Sequence, residues 1–89
     1  MILEAIGQDA TAAMTEGTID SRTDTHISRT PLVLDEAGWT ELSKLLTETL
    51  EQTMRIGEES ANRLAKEKAE GIPASVSILH FEVPAREAK

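Results

Sequence analysis

Hydrophobic positions change their spacing along this chain, and each change predicts a different element. The first periodic segment predicts a helix over 2–16, with Gly17 at the position of a left-handed C-terminal cap. A polar, turn-rich connector follows over 17–25. The apolar positions of the first helix recur every three or four residues: Leu3, Ile6, Ala10, and Ala13 or Met14.

A second and much longer periodic segment predicts a helix over 36–69. Asp35 is a good N-cap residue, and Gly71 and Pro73 are expected to end the helix. Such a helix would be about 50 Å long at 1.5 Å per residue. Its apolar stripe continues for about seven turns, which is typical of a helix-pairing surface: Trp39, Leu42, Leu46, Leu50, Met54, Gly57, Ala61 and Leu64.

Two further segments have the composition of strands. Residues 26–34 are rich in β-branched side chains, although Pro31 restricts them to an edge or a bulge. Residues 73–84 alternate between two faces. The predicted order is helix, strand, long helix, strand, in a single α+β domain over 1–89 whose small two-stranded sheet packs on the long helix.

The composition limits both the core and the class of partner. The 89 residues are 39% hydrophobic but include only one Trp and one Phe, so the chain has little material for a core of its own. A net charge of −7 disfavours binding to nucleic acid or to an anionic membrane. The absence of cysteine excludes disulfides and thiolate metal sites. We expect a cytoplasmic protein without a membrane span.

The length of the stripe predicts self-association. A folded domain of this size has a radius of only about 13 Å, so it cannot cover seven helical turns by itself. We therefore expect a homodimer whose interface is the stripe Trp39, Leu42, Leu46, Leu50, Met54, Gly57, Ala61 and Leu64. Gly57, Ser60 and Ala61 form a patch of small residues, which favours a close helix crossing.

Few residues offer chemistry. A ligand pocket could form from His26, Arg29, Trp39 and His80, but isolated histidines more often cap, pack or face water. The sequence contains no recognisable catalytic triad, nucleophile elbow or phosphate loop. We expect no catalytic residues, no metal and no cofactor.

Several short motifs resemble the C-terminal half of ArsR-like bacterial winged-helix transcriptional regulators. The likeness covers nearly the whole chain, from a D-x-R-x-D-x-H-I-S pattern at its start to a final Phe-Glu. Within the first pattern, Ser and Thr occupy positions where the family has other small residues. The matching residues are Asp20, Arg22, Asp24, His26 and Ser28, then Thr30 to Trp39, Arg63 to Ala65, Glu70 to Pro73, and Phe81 with Glu82.

This resemblance implies a non-catalytic domain that dimerises and can respond to an effector. It also implies that DNA is bound through an upstream winged helix-turn-helix domain, which this chain does not contain. Two other functions stay open from the residues alone. One is a free-standing small-ligand-binding protein with a pocket near Trp39, and the other is a small hydrolase that uses His26 or His80 with a carboxylate.

Overall fold

The computed structural model of this protein describes residues 1–85, which contain two α-helices and one short 3₁₀ turn. Helix α1 spans Ile2–Glu16, the 3₁₀ turn spans Thr18–Asp20, and helix α2 spans Glu36–Glu67. The chain divides into two compact units. The first consists of Met1–Val33 with Pro73–Ser77, and the second consists of Leu34–Ile72 with the segment that begins at Ile78. The expected single domain over 1–89 stays a prediction.

The first unit is built around α1, and its bounds confirm the helix predicted over 2–16. Gly17 ends the helix in the left-handed conformation with φ 77°, which glycine adopts without a Cβ penalty. Its N–H donates to the carbonyl of Met14. Ile6 and Ala13 are half-buried on one face of α1.

The second unit is built around α2, whose 32 residues extend about 48 Å. Asp35 caps the helix as predicted, because its Oδ1 accepts a 2.7 Å hydrogen bond from the N–H of Gly38. The helix ends at Glu67, slightly before the predicted residue 69, since Lys68 adopts the left-handed conformation with φ 53°.

The predicted α+β fold is wrong, because residues 1–85 contain no strand. The segments 26–34 and 73–84 were expected to pair into a two-stranded sheet on α2. Their β-branched composition favours a half-buried pleated surface, but Val33 is 102% exposed and Phe81 is 66% exposed. Two strands alone are marginally stable, and Pro31 removes one ladder donor. Alternation in sequence therefore did not produce a ladder.

No described side chain is fully buried, so the described part of the chain has no conventional core. In the second unit the half-buried positions lie mainly on one face of α2, with two more beyond it. They are Gly38, Trp39, Leu42, Ser43, Leu46, Thr53, Ser60, Leu64, Ile78 and His80.

Candidate association surface and the Trp39–His80 contact

The apolar stripe of α2 is partly covered at its ends and open in its middle. Trp39, Leu42, Leu46 and Leu64 are half-buried, whereas Gly57 and Ala61 are exposed. The large middle side chains are exposed as well, Leu50 at 50% and Met54 at 66%. All eight residues predicted at a dimer interface thus lie on one helix, and the four in its middle are uncovered by their own chain.

Threonine hydroxyls beside the stripe are satisfied within the helix itself. Thr49 Oγ1 donates to the carbonyl of Leu45 at 2.9 Å, and Thr53 Oγ1 donates to that of Thr49 at 2.8 Å. Thr53 therefore needs no external acceptor and can pack against an apolar partner through its methyl group.

The face opposite the stripe is polar. The Arg55 guanidinium contacts the Glu59 carboxylate at 3.0 Å and the side-chain oxygen of Gln52 at 2.8 Å. These groups are exposed, so they contribute little to stability, but they keep this face hydrated. Together the two faces make α2 amphipathic along its length.

Gly57 has no structural requirement within the single chain. Glycine in a helix interior costs about 1 kcal/mol relative to alanine. A Cβ built at Gly57 would meet nothing within 4 Å, so no neighbouring atom of the described residues excludes a larger side chain.

The aromatic ring of Trp39 lies against the imidazole of His80. Their ring centroids are 4.0 Å apart, with an interplanar angle of 35°. Nδ1 of His80 lies 3.5 Å from the hydroxyl of Ser43, one turn after Trp39 on α2. This contact attaches the segment after Ile78 to the first turns of α2, within the second unit.

The other imidazole nitrogen of His80, Nε2, is buried. Nε2 of His80 finds no hydrogen-bond partner among the described residues. A buried nitrogen without a partner has a desolvation cost, which a bound polar ligand could relieve. The Ser43–His80 pair also resembles a nucleophile beside a base, but no described carboxylate hydrogen-bonds to His80 to orient its ring.

Ser43 was missed by sequence reasoning. Its one sequence signal is a position four residues after Trp39, which places both on one face of a helix. The approach of His80 across 37 residues depends on the path of the chain after α2, which local periodicity does not encode.

The other two predicted ligand residues, His26 and Arg29, belong to the first unit, where both are exposed. Nε2 of His26 lies 3.0 Å from the hydroxyl of Ser28.

Nearby in the same unit, Arg22 holds Asp24 through two contacts, Nε to Oδ1 at 2.9 Å and Nη2 to Oδ2 at 3.2 Å. The hydrogen bond from Arg22 lowers the pKa of the Asp24 carboxyl, and Asp24 in turn raises the pKa of Arg22.

One face of α1 is open and carries mainly small or polar side chains, which include Gly7, Thr11 and Thr15. Among residues 1–85, no three His, Asp or Glu side chains are grouped closely enough to hold a metal ion.

No protein-family model, curated protein or solved structure matches this chain. In the described part of the chain, neither helix combines the length and the apolar character required to cross a bilayer.

Proposed function

We propose that this chain is a non-catalytic homodimerisation and effector-sensing domain of a cytoplasmic bacterial transcriptional regulator. The observation that carries the proposal is the open middle of the α2 stripe, where Leu50 is 50% and Met54 66% exposed. Large apolar side chains that are exposed next to each other on one face of a helix are typical of protein–protein contact surfaces. A second copy supplies the same row, so the surface can be self-complementary.

The role in transcription is proposed because several motifs, such as residues 30–39, resemble those of ArsR-like regulators. In such a protein the dimer would set the spacing of two DNA-binding domains on their half-sites. The net charge of −7 fits a domain that stays away from DNA while an upstream winged helix binds it. An effector would act by changing the stability or geometry of the dimer.

A reporter fusion tests this function in cells. The 89-residue chain is fused after a DNA-binding domain that occupies its operator only as a dimer. The wild-type chain is expected to restore repression, and Leu50→Asp is expected to abolish it. Asn62→Asp adds the same charge outside the stripe and should repress like the wild type. Absence of repression by the wild-type fusion, at matched expression, would refute the proposed function.

A second function is favoured by the contact between Trp39 and His80, because the buried Nε2 of His80 has no hydrogen-bond partner among residues 1–85. A small polar ligand that accepts or donates a hydrogen bond there would make this a ligand-binding protein. Trp39 is the only tryptophan, so its fluorescence reports directly on the site. A saturable change with one compound of a ligand screen supports this function, whereas a flat response to every compound favours dimerisation alone.

A further inference from the structure

We infer that the two copies of α2 pair antiparallel, with the two-fold axis at the level of Glu51 and Gln52. The inference rests on the proposed dimerisation and adds the orientation of the partner. It follows from the unequal distribution of volume and charge between the two halves of α2.

Side-chain volume is concentrated in the first half of the stripe. In the first half Trp39, Leu42, Leu46 and Leu50 are all large, whereas the second half contains Gly57, Ser60 and Ala61 as well as the large Met54 and Leu64. Facing surfaces pack to native density when large residues meet small ones. A parallel pair would place leucine against leucine at one end and glycine against glycine at the other. The helices would then separate at one end and leave a gap near the other.

The antiparallel arrangement matches two leucines with small residues and places Trp39 opposite Leu64 of the partner subunit. Leu46 meets Gly57 of the partner subunit, and Leu42 meets Ala61 of the partner subunit. Both pairs have the same centre, between residues 51 and 52. This match also explains the glycine, because Gly57 has open space within its own chain and provides the hole for a leucine.

The stripe keeps to one side of the helix over its whole length. Trp39, Leu50 and Ala61 are 11 residues apart, a spacing of three turns at 3.67 residues per turn. This value is close to the 3.6 residues per turn of a straight helix. Two nearly straight helices can therefore remain in contact through both matched pairs.

The charges favour the same orientation. Residues 35–51 carry five carboxylates and one lysine, a net charge of −4, whereas residues 52–68 carry four basic and three acidic side chains, a net charge of +1. A parallel pair would place −4 beside −4, and an antiparallel pair places −4 beside +1. Opposed helix dipoles favour the antiparallel pair as well.

Engineered cysteines distinguish the orientations, because the natural chain contains no cysteine. Leu42→Cys and Ala61→Cys are prepared as two chains of different mass. The two chains are mixed under reducing conditions, so that subunits exchange between dimers, and are then oxidised. Positions 42 and 61 are 19 residues apart, or about 28 Å along the helix. A disulfide requires Cα atoms within about 7 Å. Antiparallel pairing should give a disulfide between Leu42→Cys of one chain and Ala61→Cys of the other, and no disulfide between two copies of the same variant. Parallel pairing should link two copies of the same variant and give no mixed disulfide.

A matched control and a second measurement complete the test. Lys44→Cys and Glu59→Cys have the same centre but lie on the polar face, so they should not link in either orientation.

A spin label on Asn62→Cys leaves the stripe intact. Its label-to-label distance should be about 30 Å or more for the antiparallel dimer and about 20 Å for the parallel one.

The outcomes separate orientation from function. A dimeric mass with self-linking at Leu42→Cys, or with the short label distance, overturns the antiparallel inference and leaves the proposed dimerisation intact. A monomeric mass for the wild-type chain overturns both.

Discussion

The ends and the middle of the α2 stripe differ in how far their own chain covers them. At one end, Trp39 contacts His80. At the other end, Leu64 lies close to Gly71, since a Cβ added to Gly71 would be 2.8 Å from Cδ1 of Leu64. Leu50 and Met54 in the middle remain largely exposed. The chain thus shields the two ends of its longest apolar surface and leaves the centre exposed.

The largest effect is expected from a charge in the open middle. Leu50→Asp should raise the dimer dissociation constant at least about 100-fold, or about 2.7 kcal/mol, because each copy would bring a carboxylate into the contact. Light scattering over a dilution series measures this constant. Asn62→Asp, outside the stripe, should leave the constant unchanged. Equal effects from both substitutions would contradict the distinction between the two faces.

A smaller effect is expected from filling the glycine. Gly57→Ala should raise the helicity of the free chain yet weaken association about tenfold, since an added methyl in a close contact typically costs 1–3 kcal/mol. Gly7→Ala in α1 is the matched control, because a Cβ there also meets nothing within 4 Å. It should raise helicity without changing association. Tighter association of Gly57→Ala would show that no partner side chain occupies that space.

The N-terminal end of α2 can be tested through the capping hydrogen bond of Asp35. Asp35→Ala removes the acceptor for the N–H of Gly38 and should lower the free energy of unfolding by about 1 kcal/mol. Thermal unfolding followed by circular dichroism measures the loss. Asp35→Asn keeps a side-chain oxygen and should retain most of the stability. If the alanine and asparagine variants are equally stable, the cap has no energetic role.

The smallest effect is expected outside the stripe, at the exposed Arg22–Asp24 pair. Arg22 lowers the pKa of Asp24 in the folded chain, so the stabilising contribution is present above the ordinary carboxyl pKa and is lost as pH falls through the lowered value. Arg22→Gln should return the pKa of Asp24 toward its ordinary value in an NMR titration. Association should not change, because both residues lie in the first unit. An unaltered Asp24 titration would contradict the pairing.

Local signals in the sequence predicted the helices well. Asp35 and Gly17 marked helix ends because capping depends on a few neighbouring residues. Periodicity also placed the stripe on one face of α2.

The strands failed for a physical reason. The segment 73–84 alternates as a strand does, but a ladder requires a second strand at the correct distance, which a local pattern cannot guarantee. The contact between Trp39 and His80 could not be predicted from local periodicity for the same reason, since it joins residues far apart in sequence.

The most direct test of the central claim is the mass of the wild-type chain, measured by static light scattering at tens of micromolar in buffer of physiological ionic strength. We expect twice the mass of one chain, falling toward the mass of the monomer on dilution. A constant monomeric mass throughout that range would contradict it, because Leu50 and Met54 would then remain exposed to water without a second copy to cover them.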